Sequence, residues 1–485
     1  MSAHKRIVLI AILALGLALR SYHYFREPSM WHDEAAVVVN VLSRGYADLL
    51  GPLTFHEAAP PLFLWLEKAV CVVLGDGVFA LRLPAFLASC AALPLLAWAA
   101  CRLLEPRAVP WAVFLFAVSD ALSWHACEAK PYAFDVLAAV ALVALYAATR
   151  AATLGRRLLL FALPAPLLIL LSYPACFLYG GVLAATATAV WRERKPAAWA
   201  AYGLLACTVG GAFLLLLLGP IRAQHDSTIV SCWAGAFPDW DRPWTVPAWT
   251  LFSTLDVFRY CCKPLGPILL PLAAVGAVTL WRRGQSELVV MLAAPVLLAL
   301  GAAFGHRYPF GGARVLVYAT PAFVLLVGGG TPPAWDWLLR RHRLAPVGLI
   351  LLFLPPLYYS ISCVVQPWAR ADTAAACAYI EQHCMPDEEI AGNDWTHQYY
   401  LRRLGAAFHP APLADAEGRC WVVYTEEAAA DQRFAGAVSM GPAGWVMVDR
   451  REFAFTTVIL LQRPDAKGNR LMGESAERNR AQGRP

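Results

Sequence analysis

The stretch that decides the fold is residues 197–219, AAWAAYGLLACTVGGAFLLLLLG, which contains no charged side chain. About 20 apolar residues in a helix cross the hydrocarbon core of a bilayer, so this run predicts a membrane-spanning helix. The whole chain is similar: 59% of its 485 residues are hydrophobic and 15% are charged, against about 25% charged in a soluble domain. We therefore predict a polytopic α-helical membrane protein with about eleven spans. The predicted spans are residues 7–25, 81–101, 109–126, 132–149, 157–173, 175–191, 197–219, 265–281, 287–304, 315–331 and 345–364.

Basic residues mark one side of the predicted membrane. Clusters such as 192–195 (RERK) and 340–343 (RRHR) stand at alternate span ends, and loops rich in Lys and Arg face the cytoplasm. Lys5-Arg6 before the first apolar run resembles a signal peptide, but Arg20 stands where a small-residue cleavage site is expected, so we predict an uncleaved helix. The net charge of +6 therefore gives no indication of nucleic-acid binding, and an odd number of spans places the C-terminus outside.

Two shorter apolar segments are predicted to lie on the outer face rather than to span. Residues 60–74 are interrupted by Glu67-Lys68, and a span here would move every later basic loop to the wrong side. Residues 246–260, with Trp249 among several aromatic residues, are interpreted in the same way. Both are expected to be interfacial helices, with a re-entrant or short core helix as the alternative.

The character of the chain changes near residue 366. The predicted elements after this point are helices at 370–383 and 397–404 and strands at 389–392, 420–424 and 456–461. They predict a small extracytoplasmic α/β domain over residues 366–464, after a transmembrane domain over residues 1–365, with a disordered polar tail at 465–485. An oxidising compartment permits a disulfide between Cys384 and Cys420, with Cys377 as an alternative partner.

Ionisable residues outside the cytoplasmic loops collect at the predicted outer helix ends. Asp33 and Glu34 are the most informative pair, because two adjacent carboxylates are costly to place at a membrane boundary, although they can also simply begin a solvated helix. The other candidates are His56, Glu57, Arg82, Glu128, Lys130, Tyr132, His306, Arg307, Tyr308 and Arg314. Carboxylates and cations at one depth suit a cleft that holds an anionic head group beside a base.

Most of these candidates also have a purely structural interpretation. Arg20 and Arg82 can snorkel to the interface, and Glu128 and Lys130 can form an ordinary turn ion pair. The histidines can be metal ligands, but their spacing indicates no particular metal, and interfacial hydrogen bonding is favoured. The sequence shows no Cys/His spacing typical of zinc, no P-loop and no GxGxxG motif.

Taken in chain order, the motifs resemble those of the GT-C glycosyltransferases. The matching stretches are the first helix, Asp33-Glu34, Phe55-His56-Glu57-Ala58-Ala59-Pro60-Pro61-Leu62, Leu81-Arg82-Leu83-Pro84 and Glu128-Ala129-Lys130-Pro131-Tyr132. The resemblance is to the protein O-mannosyltransferase and lipid A aminoarabinose transferase group, which takes a sugar from a polyprenyl phosphate on the outer membrane face. It implies a multi-pass protein of the bacterial cytoplasmic (inner) membrane. The implied partners are a polyprenyl-phosphate-linked sugar donor, a hydroxyl-bearing acceptor and the lipid bilayer.

The resemblance also implies residue roles. Asp33 matches the first-loop aspartate that acts as base, and Glu34 and Glu57 complete the expected catalytic set. Lys130 stands where the family usually has an arginine, which keeps the charge but loses the two-pronged guanidinium. The expected contacts to the donor phosphate are Arg82, Lys130, Tyr132, Arg307 and Arg314, and the other expected cleft residues are His56, Glu128, His306 and Tyr308.

The chemistry that the resemblance implies is an inverting transfer. The acceptor hydroxyl, deprotonated by Asp33, attacks the anomeric carbon, and the carrier phosphate leaves with its charge held by cations. Some GT-C enzymes use a divalent metal and others in this group do not, so a metal stays an open expectation.

Two other functions compete with this one. A transporter or flippase of a lipid-linked or anionic solute would carry charges near the bilayer midplane, broken helices and repeats; here the span centres are apolar and no repeat is present. A membrane scaffold that only displays the C-terminal domain does not explain paired acids and bases at one outer edge. The sequence therefore predicts a membrane glycosyltransferase.

Overall fold

The computed structural model of the chain describes residues 3–386, 388–392, 394–404, 408–409, 418–425 and 445–463. The chain divides into two compact units. The helical unit is Met1–Glu27 with Asn40–Pro367, and the C-terminal unit is Pro28–Val39 with Trp368–Pro485. The sequence suggested one boundary near residue 365, whereas the structure also assigns the short segment that carries Asp33 and Glu34 to the C-terminal unit.

The helical unit is built from α-helices, several of which begin with a proline that is tolerated there because the first helical N–H has no partner in any case. The helices from the N-terminus to Pro367 are α1 Ala3–Phe25, α2 His32–Ser43, α3 Pro61–Leu74, α4 Val78–Leu103, α5 Val109–Ala117, α6 Asp120–His125, α7 Tyr132–Thr149, α8 Leu154–Ala162, α9 Ala165–Leu171, α10 Ala175–Glu193, α11 Pro196–Leu216, α12 Arg222–Gln224, α13 Ser227–Cys232, α14 Val246–Cys261, α15 Leu270–Arg282, α16 Ser286–Phe304, α17 Thr320–Arg341, α18 Ala345–Leu351 and α19 Leu354–Val365. A 3₁₀ turn, Arg314–Ala319, leads into α17.

Among the described residues, eight helical segments are long and apolar enough to cross a membrane. The number is nine if the segments Pro243–Cys261 and Gly266–Arg282, which are bent by 95°, count as one span. Helices are present at both segments predicted to be interfacial, α3 and α14. The chain is therefore a multi-pass helical protein by length and composition, while the count of eleven spans stays a prediction.

Arg20 caps the helix end where the structure divides the predicted span 109–126 between α5 and α6. The guanidinium is fully buried and donates to the carbonyls of Phe116 and Ala117 at 3.2 and 3.1 Å. The last carbonyls of a helix lack partners within the helix, so a cation placed there stabilises the helix end. Arg20 also donates to Ser89 Oγ at 3.0 Å. The snorkelling interpretation is therefore wrong for Arg20.

Small residues let α15 and α17 pack backbone against backbone. A Cβ added to Gly276 would lie 1.9 Å from the carbonyl oxygen of Leu326, and one added to Gly330 would lie 1.9 Å from that of Leu272. Interfaces between membrane helices favour glycine for this close approach. The run Gly328-Gly329-Gly330, which has no phosphate-loop signature, is thus explained by helix packing.

The C-terminal unit contains a five-stranded sheet in the order β2-β1-β3-β5-β4. Its elements are α20 Thr373–His383, β1 Glu389–Gly392, α21 Trp395–Leu401, β2 Phe408–His409, β3 Arg419–Thr425, β4 Val446–Phe453 and β5 Thr456–Gln462. Strand β1 pairs in parallel with β2 and β3, and β5 pairs antiparallel with β3 and β4. Helix α20 buries Ala376, Cys377 and Ile380 in the same cluster as Trp421 and Val458 of the sheet.

The three predicted strands and two predicted helices of this region are confirmed, and β2 and β4 were not predicted. Most residues of β4 are exposed, so its sequence lacks the alternation of a half-buried strand. The predicted disulfide is wrong, because Cys377, Cys384 and Cys420 are all free thiols. Burial raises the pKa of Cys420 to about 12, which keeps this thiol protonated and unreactive. The tail at 465–485 lies outside the described residues.

Candidate active site

In the helical unit, the structure joins two predicted site residues, Glu57 and Lys130, in an ion pair. Lys130 lies in the turn between α6 and α7, and its ammonium group is 2.5 Å from Glu57 Oε2. The Lys130 side chain is 4% exposed and that of Glu57 is 15% exposed. A buried ammonium group is costly unless it is paired, so the Glu57 carboxylate holds the cation in place inside the unit.

The same turn begins with a hydrogen-bonded network of four side chains. Glu128, fully buried, accepts from the indole of Trp124 and contacts His125 Nδ1 at 2.8 Å. His125 Nε2 lies 2.7 Å from the hydroxyl of Tyr260 in α14. A carboxylate on one ring nitrogen fixes the tautomer and orientation of a histidine. Glu128 is therefore an orienting residue for His125 in addition to being a turn residue.

Tyr132 and Arg314, both expected to contact the donor phosphate, lie next to each other in the structure. The guanidinium of Arg314 lies 6.0 Å from the ring centroid of Tyr132 and 5.7 Å from that of Trp233. Aromatic faces attract cations at this distance. Since Tyr132 and Lys130 share one turn, two cations, Lys130 and Arg314, flank this part of the helical unit.

A set of three side chains, which we call the loop clamp, holds the backbone on both sides of Glu57. Gln224 Oε1 accepts from the Ala59 N–H at 3.1 Å and from the Tyr173 hydroxyl at 3.0 Å. The Tyr173 hydroxyl is also 2.9 Å from the Ala59 carbonyl oxygen. Asp226 bonds the ring of His56. The loop clamp is thus Tyr173, Gln224 and Asp226.

The backbone under the loop clamp is strained. Phe55 and His56 have φ angles of +65° and +51°, a region that residues other than glycine seldom adopt. Such strain persists only where the surroundings impose it, and it often occurs at functional sites. The Thr228 N–H and then the His56 ring hold the pKa of Asp226 below its usual range, so Asp226 stays ionised opposite His56.

The remaining predicted residues of the helical unit have separate surroundings. His306 Nε2 is 3.0 Å from the Pro238 carbonyl, and the Tyr308 hydroxyl donates to the Val315 carbonyl at 2.7 Å. Arg307 is exposed. Arg82 is 1% exposed at the start of α4, so it lies inside the protein and does not snorkel.

In the C-terminal unit, Glu34 is held by the helix that it begins and by an arginine. It is fully buried and accepts from the Trp31 N–H at 3.1 Å, as an acidic residue in the first helical turn commonly does. Arg370 Nη1 lies 3.4 Å from the same carboxylate, with its side chain 5% exposed. Glu34 is therefore one partner of a buried ion pair.

Asp33, the neighbouring residue, has a different environment within the same unit. Its side chain is 15% exposed, and its Oδ1 lies 3.0 Å from His32 Nε2. The ring of His32 meets the ring of Trp395 edge to face at 6.1 Å between centroids. Asp33 is thus more accessible than Glu34 and is joined to α21 through a histidine, an arrangement that suits a proton acceptor.

Sequence reasoning missed five residues that organise these contacts: His125, Tyr173, Gln224, Asp226 and Arg370. Each is a single polar residue in a loop or helix end, with no spacing that links it to its partner. His125 alone had a signal, since it lies three residues before Glu128, where side chains of a helical turn meet. Among the described residues, no group of three His, Cys, Asp or Glu side chains is placed to hold a metal ion.

The structure is similar to solved membrane-protein structures. ArnT from Cupriavidus metallidurans in the apo state superposes with a TM-score of 0.56 at 14% identity, over 95% of this chain and 98% of that chain. ArnT bound to undecaprenyl phosphate gives a TM-score of 0.56 at 13% identity over the same shares. The archaeal oligosaccharyltransferase AglB from Archaeoglobus fulgidus, in complex with an inhibitory peptide and a dolichol-phosphate, gives 0.51 at 10% identity, over 94% of this chain and 74% of that chain.

These likenesses show the fold. ArnT and AglB are GT-C glycosyltransferases, so the resemblance found in the sequence is confirmed at the level of the fold. No protein-family model matches the chain, and no curated protein matches it in sequence. At identities this low, what the chain does must be argued from its own residues.

Proposed function

We propose that the chain is a membrane glycosyltransferase that moves a sugar from a polyprenyl phosphate to a hydroxyl group of a glycolipid, glycan or protein. The observation that carries the proposal is the buried Lys130 ammonium paired with Glu57, in a protein with the fold of ArnT, for which a complex with undecaprenyl phosphate is known. AglB, of the same fold, has a complex with a dolichol-phosphate. A lipid phosphate is the anion that a buried cation in such a fold would bind.

We assign Lys130 and Arg314 as the primary contacts of the donor phosphate. A phosphate accepts hydrogen bonds from a lysine ammonium group and from an arginine guanidinium, and such charged hydrogen bonds are about twice as strong as neutral ones. Tyr132 and Trp233 hold the Arg314 guanidinium from the side. Arg82, buried, and Arg307, exposed, are assigned secondary contacts with the donor.

The proposed reaction is a single displacement with inversion. Asp33 accepts the proton of the acceptor hydroxyl as its oxygen forms a bond to the anomeric carbon. The bond from that carbon to the phosphate oxygen breaks, and its electron pair leaves with the phosphate, whose negative charge the cations stabilise. Glu57 acts through Lys130, and Glu34 acts by fixing the helix turn that carries Asp33.

The proposed location is the bacterial cytoplasmic membrane, with the reaction on the outer face and the C-terminal domain outside. Basic loops at alternate span ends motivate this orientation. Reporter fusions after Arg157, Lys195 and Arg343 should report cytoplasm, and fusions near Gly51 and His225 should report the outside. An outside signal after Lys195 would contradict the orientation.

The function itself is tested by comparing the glycans and glycolipids of cells with and without the protein by mass spectrometry. We expect one class of glycosylated product to disappear without the protein. The wild-type chain should restore it and Asp33→Asn should not. Identical profiles in cells with and without the protein would overturn the proposed function. Full restoration by Asp33→Asn would overturn the assignment of Asp33 as the base.

A further inference from the structure

The segment Pro28–Val39 lies more than 300 residues from the rest of the C-terminal unit in sequence, yet it is part of that unit. Arg370 Nη1 donates to the Ser29 carbonyl at 3.2 Å and contacts Glu34 at 3.4 Å. Ser29 Oγ donates to Asp372 at 3.1 Å, and the Met30 N–H donates to the hydroxyl of Tyr400 at 2.8 Å. Four hydrogen bonds and ion pairs therefore fix both ends of a stretch from Ser29 to Glu34.

The burial of these contacts makes them specific. Glu34 is 0% exposed, Met30 is 1% exposed and the Arg370 side chain is 5% exposed. A buried ion pair contributes little net stability compared with an apolar pair, but removal of one partner leaves an uncompensated charge. Such a pair therefore disfavours any other register of the segment against the domain, which is the best attested use of buried charges.

The consequence falls on the next residue, Asp33. Glu34 bonds the Trp31 N–H and Arg370 at once, which fixes the first turn of α2 and with it the direction in which the Asp33 side chain leaves the helix. His32 contacts Asp33 on one side and the ring of Trp395, the first residue of α21, on the other. Arg370 and Trp395, which contact the two neighbours of Asp33, therefore both belong to the part of the C-terminal unit that follows residue 367.

We propose that the C-terminal domain positions the catalytic base, with Arg370 as the positioning residue that acts through Glu34. This inference rests on the proposed function, because it assigns Asp33 the role of base. It gives the domain a part in the reaction, in place of a separate binding or scaffolding role. A shift of about 1 Å in a reacting group can lower a rate by about 100-fold, so loss of the pair should be visible in transfer.

The experiment compares Arg370→Met, Asp33→Asn and the double variant in full-length protein. The first readout is the initial rate, measured in membranes and divided by the amount of folded protein, at which the glycosylated product that depends on the protein is formed. The second readout is the affinity of the purified protein for undecaprenyl phosphate. Arg370→Met should lower the rate by about 10- to 100-fold with affinity changed less than about twofold. The double variant should be no slower than Asp33→Asn, because both changes disable one group.

Arg419→Met is the matched control. Arg419, the first residue of β3, pairs with Glu388 at 3.0 Å in the same unit. It should lower stability without changing the rate per folded molecule. Arg370→Lys should restore part of the rate, because it returns the charge without the planar fork.

A rate for Arg370→Met equal to that of the wild type, or effects of Arg370→Met and Asp33→Asn that multiply in the double variant, would overturn the inference. If Arg370→Met does not fold, Tyr400→Phe takes its place, since it removes the hydroxyl to which the Met30 N–H donates. A rate equal to that of the wild type, or effects that multiply with Asp33→Asn, would then overturn the inference in the same way. Full activity of Asp33→Asn alone would instead overturn the proposed base, which separates the two failures.

Discussion

Glu34 and Glu57 are both acidic residues of the first loop, and the structure gives them opposite surroundings. Glu34, in the C-terminal unit, is fully buried and bonds a helix N–H and Arg370. Glu57, in the helical unit, is 15% exposed, lies on a strained and clamped loop, and pairs with the buried Lys130. The sequence treated both as catalytic. In the structure one carboxylate fixes a helix turn, whereas the other holds a cation, to which we assign the donor phosphate.

The largest expected effect is on stability and separates the two carboxylates. Glu34→Gln should lower the free energy of unfolding by about 3 kcal/mol, since it removes a fully buried carboxylate charge that faces the buried Arg370 guanidinium. Glu57→Gln also removes the partner of a buried ammonium group, but it should cost less, because the Glu57 side chain is 15% exposed and water can replace part of the interaction. Thermal unfolding of the purified variants in detergent measures the difference. Equal shifts in the two variants would contradict the distinction.

The second expected effect is on the rate. Asp33→Asn should lower transfer by at least about 100-fold, the low end for loss of a general base, with undecaprenyl phosphate binding unchanged. Glu34→Gln should lower the rate per folded molecule by less, since it moves the base rather than removing it. Initial rates normalised to folded protein check both. A variant Asp33→Asn that turns over at a near-normal rate would exclude this residue as base.

The third effect concerns the donor side of the comparison. Arg314→Ala should weaken binding of undecaprenyl phosphate by about 10- to 150-fold, the equivalent of about 1.5–3 kcal/mol for a charged hydrogen bond. Arg307→Ala, at an exposed position, should weaken it less and serves as the comparison. Titration of each purified variant with the lipid gives the affinities. A stronger effect at Arg307 would reverse the assignment of the primary contact.

The smallest expected effect tests the loop clamp. Tyr173→Phe removes the hydroxyl that contacts Gln224 and the Ala59 carbonyl, and it should slow transfer about fivefold, as expected for about 1 kcal/mol. Tyr179→Phe is the control, because Tyr179 is a buried tyrosine that donates to the Phe161 carbonyl instead. Both should lose similar stability. A loss of rate in Tyr179→Phe as large as in Tyr173→Phe would show that the loop clamp has no special role.

Much of the fold could be predicted because it depends on local pattern. Apolar runs of bilayer length gave the helices, and short, mostly buried apolar runs gave β1, β3 and β5. The cap that Arg20 provides at the end of α5 could not be predicted, since Arg20 lies 96 and 97 positions before the carbonyls that it contacts. Strand β4 was missed because an edge strand with mostly exposed side chains lacks a hydrophobic pattern.

The candidate site was predictable in its residue types but only partly in its contacts. The resemblance grouped Tyr132 with Arg314, which the structure brings together. It assigned Glu57 and Lys130 to different roles, and Lys130 was weighed as a turn partner of Glu128, whereas the structure pairs Lys130 with Glu57. Arg370 and Gln224 could not be found, since a lone polar residue gives no sign of a partner that is distant in sequence. Such residues are recognised only when the fold brings them together.

The donor is tested most directly by a transfer assay of the purified protein in detergent, with a panel of polyprenyl phosphate sugars and the matching nucleotide sugars. We expect transfer from a polyprenyl phosphate sugar alone, and loss of that transfer in Asp33→Asn. Robust transfer from a nucleotide sugar, with none from the lipid-linked panel, would contradict this expectation.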